Sequence, residues 1–87
     1  MNDAFSFEAK DRPIAVRIHD GLVSVTLADG RIISNPLVWH GWLANATPEQ
    51  LAHVEFHTFS VDWPELDEGL DVQGMLQGVQ PKTQVAG

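Results

Sequence analysis

The sequence predicts an α+β fold: a small antiparallel β-sheet, made of a three-stranded meander plus a fourth strand, packed by two or three short helices. Three observations predict this class. Apolar residues recur at every second position near the N-terminus. Two Asp-Gly dipeptides, which favour tight turns, interrupt that region. Further along the chain, apolar residues recur at helical spacing. At 87 residues the chain is long enough for one domain and too short for two.

The first third of the chain predicts three antiparallel strands joined by tight turns. Apolar side chains occupy alternate positions from Ile14 to Ile18, the period of a strand with one buried face. The dipeptides Asp20-Gly21 and Asp29-Gly30 tolerate the positive φ angles of two-residue hairpin turns. The predicted strands therefore cover residues 14–19, 22–27 and 31–34.

Two helix-start signals follow the meander. Asn35 can cap a helix whose first position suits Pro36. The apolar residues of that helix are Leu37, Val38, Trp42 and Leu43. Thr47 and Gln50 form a capping box around Pro48, which predicts a second short helix.

Extended character returns between Phe56 and Trp63 and predicts the fourth strand. This strand must end near Trp63, because Pro64 cannot donate a ladder hydrogen bond. Trp63 itself is expected in the core, since so small a domain needs its large side chains inside.

The segment after the fourth strand predicts an acidic loop and a last helix. Leu66 and Leu70 are expected to anchor the loop to the core. Asp71 can cap a short helix that ends at Gly78, where a left-handed residue commonly follows a helix.

The sequence divides into one domain and two flanking segments. Residues 1–12 predict a flexible leader or a short strand, residues 13–79 the α+β domain, and residues 80–87 a loose C-terminal tail. No stretch resembles an export signal or approaches the roughly 20 apolar residues of a membrane span. Cysteine is absent, which excludes disulfides and thiolate metal sites and fits a reducing compartment. We therefore expect a cytoplasmic protein.

The charge of the chain is strongly acidic and unevenly distributed. Twelve acids and five bases give a net charge of −7. Seven of the acids, but only one base, Lys82, lie after Asn45. Direct nucleic-acid binding relies on Lys and Arg to displace counterions, and anionic lipid surfaces attract bases. The sequence therefore predicts neither a nucleic-acid partner nor a membrane partner.

Three stretches in a fixed order resemble one known family. They are Asp29-Gly30-Arg31 followed by Pro36-Leu37-Val38-Trp39, then Asn45-Ala46-Thr47-Pro48-Glu49-Gln50, and then Asp62-Trp63-Pro64-Glu65-Leu66-Asp67-Glu68 before a helix at Gln73-Gly74-Met75-Leu76-Gln77-Gly78. Their order and spacing resemble the bacterial domain-of-unknown-function family 2442, over residues 14 to 78. The sequence departs from the family pattern at residues 57–58 and 69–71.

That resemblance implies an α+β fold and no activity that can be carried over to particular residues. Members of the family are similar to components found beside small toxin-like genes, and some are joined to a helix-turn-helix domain. The resemblance therefore implies a protein-interaction module with an antitoxin-like role, which is an inference from association.

One metal site is a candidate. His53, Glu55 and His57 would share a face if they lay on one strand, and two imidazoles with a carboxylate form a known catalytic zinc set. The alternative is that these are structural or solvent-exposed side chains at a helix-to-strand junction, with no metal-binding role.

Two groups of residues are candidates for binding a partner. Trp39 and Trp42 lie three apart on the predicted helix and would anchor a partner if they are exposed, whereas core packing is the alternative. The acidic segment is either a solvated surface or a partner-binding patch. Its acids are Asp62, Glu65, Asp67, Glu68 and Asp71.

The sequence gives no sign of nucleophilic catalysis, because Ser24, Ser34 and Ser60 lie in strand-like segments without a Gly-x-Ser-x-Gly elbow. We therefore interpret the chain as a non-enzymatic, acidic protein-interaction module that needs no cofactor and binds an unidentified protein. Homo-oligomerisation stays open. One alternative is a phage-type inhibitor that presents carboxylates where a basic partner binds phosphates. The other is a metal-dependent hydrolase using the His53 cluster.

Overall fold

The computed structural model describes residues 8–78, and these residues form two small antiparallel sheets and three short helices. The predicted α+β class is confirmed. The strands are β1 (Pro13–His19), β2 (Leu22–Leu27), β3 (Ile32–Pro36), β4 (Glu55–Phe56), β5 (Ser60–Trp63) and β6 (Glu68–Asp71). The helices are α1 (Gly41–Ala44), α2 (Pro48–Ala52) and α3 (Val72–Leu76), and 3-10 turns cover Ala9–Asp11, Leu37–Trp39 and Pro64–Leu66. The predicted tail at 80–87 and residues 1–7 of the predicted leader lie outside the described residues.

The first sheet is the predicted meander, in the order β1-β2-β3. Asp20 and Gly21 have φ angles of 53° and 76°, so both central residues of the β1–β2 turn are left-handed, as a tight hairpin requires. Gly30, in the β2–β3 turn, also has positive φ. Cross-strand pairing places Val16 opposite Val25, so the apolar positions of neighbouring strands share one face.

The strand alternation in β1 is interrupted at its start. The register with β2 shifts between Pro13 and Ala15, which leaves Ile14 without the inward orientation that the alternating pattern predicts. Ile14 is consequently 51% exposed, whereas Val16 and Ile18 pack against the core.

The predicted fourth strand is the centre of a second sheet, in the order β4-β5-β6. It ends at Trp63, as expected from Pro64. Phe56 belongs to the separate strand β4, because the His57 N–H bonds to the Ser60 carbonyl at 2.9 Å and closes a turn. Leu70 lies on β6 rather than in a loop. Backbone pairing with β5 thus overrides the low strand propensity of this acidic, glycine-containing segment.

The helices agree with the sequence in part. The capping box of α2 is confirmed: the Gln50 N–H bonds to Thr47 Oγ1 at 3.1 Å, and the Thr47 N–H bonds to Gln50 Oε1 at 2.9 Å. The predicted helix start at Asn35 is wrong, because Asn35 and Pro36 are the last two residues of β3. Two short elements, Leu37–Trp39 and α1, replace it and meet at His40, whose φ and ψ of −126° and 75° are not helical.

Both sheets contribute to one hydrophobic core. Its buried residues are Val23, Val25, Leu27, Leu43, Val61, Trp63, Leu70, Val72 and Met75. The strands therefore place alternate residues on the core side, and Ser24, on the other face of β2, is buried as well. No helix among the described residues is long and apolar enough to cross a membrane.

A buried polar pair borders this core. His40 and Asn35 are each 6% exposed, and His40 Nε2 lies 3.3 Å from Asn35 Oδ1. Burial lowers the pKa of His40 below its ordinary value of 6.5. The folded protein therefore holds His40 neutral at a pH where the unfolded chain already binds a proton.

We expect Thr47→Ala to lower the free energy of unfolding by about 1 kcal/mol, because it removes the side chain that caps α2. Urea denaturation measures the change. Thr58→Ala is the matched control at an exposed position in the β4–β5 turn, and a shift within about 0.5 kcal/mol is expected there. Equal losses from the two substitutions would contradict the capping role.

We also expect the protein to lose stability as the pH falls below about 6.5, the ordinary pKa of the histidine in the unfolded chain, because protonation of His40 favours the unfolded chain. The stabilisation is fully present above pH 6.5 and is lost below it. His40→Gln removes this titration, so the unfolding free energy of the variant should fall less steeply with pH than that of the wild type. Identical pH slopes for the two proteins would show that His40 makes no contribution.

Candidate functional site

Acidic side chains from all three strands of the second sheet and the turn before β6 line one open cleft of about 420 Å³. We call this the acidic cleft and define its acids as Glu55, Asp62, Asp67 and Glu68. Trp63, Pro64 and Gly69 complete the lining, which includes no Lys or Arg. The cleft therefore concentrates negative charge with no permanent cation among its lining residues.

Strand geometry explains why these acids meet. Asp62 lies between the buried residues Val61 and Trp63 on β5, so its side chain faces away from the core. Glu55 on β4 and Gly69 on β6 are its direct cross-strand partners. Residues in register on adjacent strands share a face, so one outward row runs from Glu55 across Asp62 to Gly69.

Gly69 provides the space that the Asp62 carboxylate occupies. A Cβ built on Gly69 would collide with Asp62 Oδ1 and approach the Val61 carbonyl oxygen to 3.1 Å. Any other residue at this position therefore has to displace the Asp62 side chain. Gly69 is one of the residues at which the sequence departs from the family pattern. Its contact with the Asp62 carboxylate is a steric reason for glycine at this position.

The histidines that the sequence offered as metal ligands are separated. His57 Nε2 lies 3.3 Å from Glu55 Oε1 and 3.4 Å from Asp62 Oδ2, beside the cleft. His53 pairs instead with Glu65. Since β4 has only two residues, the alternation that would align the three candidate ligands is not sustained. Within residues 8–78 no three His, Cys, Asp or Glu side chains are arranged to hold a metal ion, so the predicted set His53, Glu55 and His57 is not assembled.

The five acids predicted to bind a partner are divided among three places. Asp62, Asp67 and Glu68 line the acidic cleft. Glu65 lies on the 3-10 turn and pairs with His53. Asp71 is at the far end of β6, opposite Ser60, and precedes α3 without making a side-chain cap. Glu55 joins the cleft through cross-strand pairing, which the local charge pattern could not show.

Trp39 and Trp42 lie on different elements and are both half-buried. Trp42 stacks edge-on against Trp63, with ring centroids 5.7 Å apart, and against His40 at 5.9 Å. Trp42 thus packs with the core. The prediction that the two indoles lie three apart on one helix is wrong, because the backbone leaves the helical conformation at His40 between them.

A second open cleft, of about 550 Å³, lies on the other side of β4. It is lined by Arg12, Pro13, Ile14, Phe56, His57 and Thr58. Ile14 is 51% exposed and Phe56 41% exposed. We call this the apolar cleft after these two exposed side chains, although Arg12, His57 and Thr58 give it a largely polar lining. The sequence did not predict it, since Ile14 and Phe56 both fell in patterns that predict inward-facing strand residues.

Comparison with known proteins finds one family and similar solved structures. Residues 13–81 match a family described as protein of unknown function (DUF2442). The solution structure of the uncharacterized protein CV0863 from Chromobacterium violaceum is similar, with a TM-score of 0.67 and 24% identity over 82% of this chain and 69% of that one. A crystal structure of a protein of unknown function from Rhodospirillum rubrum gives a TM-score of 0.64 and 25% identity over 82% of this chain and 90% of that one. No curated protein matches significantly.

We expect Gly69→Ala to destabilise the protein by about 1 kcal/mol, the low end for overpacking, since the Asp62 carboxylate can swing aside. The loss should shrink in an Asp62→Ala background, where the colliding atoms are gone. Gly41→Ala is the control, because nothing lies within 4 Å of its added Cβ. Urea denaturation of the four variants measures the coupling, and additive losses would contradict the steric role.

Proposed function

The chain belongs to the DUF2442 family of proteins of unknown function, and from that premise we propose that it is a protein-interaction module whose acidic cleft receives a basic partner. The observation that carries the proposal is the concentration of four acids in one cleft that no Lys or Arg lines. Charge complementarity of this kind selects partners and accelerates their encounter. The same field disfavours phosphate backbones and anionic lipids.

The position of the apolar cleft supports the proposal. It lies beside the acidic cleft, because Glu55 and Phe56 are neighbours on β4 and border one cleft each. Protein interfaces commonly combine an apolar centre with a polar rim. A partner that spans β4 would therefore place apolar side chains on Ile14 and Phe56 and basic ones on the acids. In this proposal these two residues replace Trp42 as the anchor.

The acidic cleft acts by binding rather than by catalysis. Acid–base catalysis by a pair of carboxylates requires one of them to be buried, so that its pKa differs from the pKa of the other. Glu55, Asp67 and Glu68 are instead exposed to solvent, and the cleft is open. We propose a cytoplasmic location, where such a module would meet its protein partner.

Two roles fit this binding module, and each has an observation in its favour. An inhibitor of a nucleic-acid-binding protein would use the acidic cleft as a substitute for phosphates. An antitoxin-like module would bury the apolar cleft against its target. Salt separates them, because screening at high ionic strength weakens a contact between exposed charges far more than an apolar one. A complex released by salt favours the inhibitor, and a complex that survives salt favours the antitoxin-like role.

We expect Glu68→Lys to weaken partner binding by about tenfold or more, because a like charge would face the basic partner. Immobilised protein is incubated with a lysate of the native host, and the proteins retained are compared between variants. Glu49→Lys makes the same charge change at an exposed residue of α2 that lines neither cleft. A protein held by the wild type and by Glu49→Lys but lost from Glu68→Lys supports the proposal.

Two results would contradict it. One is that every protein captured by the wild type is captured equally by Glu68→Lys. The other is equal loss from Glu68→Lys and Glu49→Lys, which would show dependence on net charge alone. Circular dichroism of the variants confirms that each remains folded.

A further inference from the structure

A chain of hydrogen bonds crosses the outer face of the first sheet, away from both clefts. It joins Asp20, His19, Ser24 and Ser34 in that order. The sheet register brings them together: Ser24 lies directly opposite Ser34 on β3 and opposite Arg17 on β1. His19, two residues beyond Arg17, shares the same face and reaches diagonally to Ser24.

An ionised Asp20 sets which group donates in each of these bonds. His19 Nδ1 lies 3.2 Å from Asp20 Oδ2, and since an ionised carboxylate only accepts, Nδ1 carries the proton. His19 Nε2 lies 3.2 Å from Ser24 Oγ and, in the neutral ring, accepts the Ser24 hydroxyl proton. The Ser34 hydroxyl lies 2.6 Å from Ser24 Oγ and must then donate to it. Ser24 thus has a base to take its proton and a donor to stabilise the resulting anion.

We propose that Ser24 is a nucleophile for acyl transfer from small esters, with His19 as its general base and Asp20 orienting the imidazole. An acid on Nδ1 and a serine on Nε2 is the connectivity of a hydrolytic triad, which recurs on unrelated folds and is recognised by geometry. No Gly-x-Ser-x-Gly motif surrounds Ser24, so sequence pattern alone does not predict this site. The hairpin register is the feature that indicates it. Once the turn is placed at Asp20-Gly21, the register puts His19 and Ser24 on the same face of neighbouring strands.

The proposed reaction needs only an ester and water. Ser24 Oγ attacks the ester carbonyl carbon while its proton passes to His19 Nε2. The bond to the leaving oxygen breaks, that oxygen takes the proton from His19, and an acyl group remains on Ser24. Water then attacks the acyl carbon, gives its proton to His19, and releases the carboxylic acid as Ser24 recovers the proton.

Negative charge develops on the carbonyl oxygen during both steps. Arg17, the cross-strand partner of Ser24, is exposed on the same face and forms no ion pair with any residue between 8 and 78. Its guanidinium is therefore available to compensate that charge. Asp20 contributes less to the reaction. Its side chain is 89% exposed, and water weakens its electrostatic interaction with His19. We therefore expect slow acylation rather than efficient turnover.

The surroundings of Ser24 restrict the acyl group. Ser24 is only 7% exposed, between the side chains of His19 and Ser34. Neither the acidic cleft nor the apolar cleft includes any of these residues, so neither of them offers room for a long acyl chain at the hydroxyl. The geometry favours short, unbranched acyl groups.

The test uses p-nitrophenyl acetate with the full chain. We expect release of p-nitrophenol, one acetyl group added to the intact protein, and peptide mapping that places it on Ser24. His19→Gln should slow the acetylation of Ser24 by about a hundredfold or more, the usual contribution of a general base. Ser60→Ala, at a serine of the second sheet, should leave the rate unchanged. The bulky p-nitrophenyl trimethylacetate should react far more slowly than the acetate.

Ser24→Ala removes the hydrogen bonds that Ser24 makes with His19 and Ser34 in the sheet, so circular dichroism accompanies it. The rate comparison rests on His19→Gln, whose side chain is partly exposed. Acetylation of Ser24 at the wild-type rate in His19→Gln would overturn the proposal. Acetyl groups found only on Lys10, Lys82 or the N-terminal amine would overturn it as well.

Discussion

The position of Trp63 is the constraint on which the rest of the structure depends. Its indole is 1% exposed and is the largest of the fully buried side chains. Nε1–H donates to the Leu51 carbonyl at 3.1 Å, which satisfies an acceptor that α2 leaves unpaired at its C-terminal end. The ring also stacks edge-on with Trp42 of α1. One residue therefore holds β5 against both helices, and it fixes the strand on which Asp62 faces outward into the acidic cleft.

Polar groups close to the core are tolerated because each has a partner. Asp11 is 2% exposed, yet its carboxylate accepts the Glu8 N–H and pairs with Arg31. These two contacts, the backbone bond first, hold the pKa of Asp11 below its ordinary value. The Ala28 N–H also bonds to the Arg12 carbonyl at 2.8 Å. The segment before β1 is thereby attached to the β2–β3 turn.

Local sequence patterns predicted the turns, caps and element ends, because these depend on residues that are neighbours in the chain. The Asp20-Gly21 turn, the capping box at Thr47, the end of β5 before Pro64 and the left-handed Gly78 all follow from short-range chemistry. The second sheet and the acidic cleft depend instead on pairing between segments, which no local pattern specifies. Gly69 illustrates the difference. It weakens strand propensity, and only the register with Asp62 shows why the position needs it.

The same alternation that builds the core also separates the two proposed sites. The inward residues of both sheets join one core, and each proposed site uses outward residues of one sheet: the acidic cleft those of the second sheet, and His19, Ser24 and Ser34 those of the first. Charges separated by more than a Debye length of about 8 Å are largely screened at physiological ionic strength. Arg17, opposite Ser24 in register, and Asp20, bonded to His19, therefore act most directly on this site, and the acyl-transfer chemistry is decided within the first sheet and its hairpin turn.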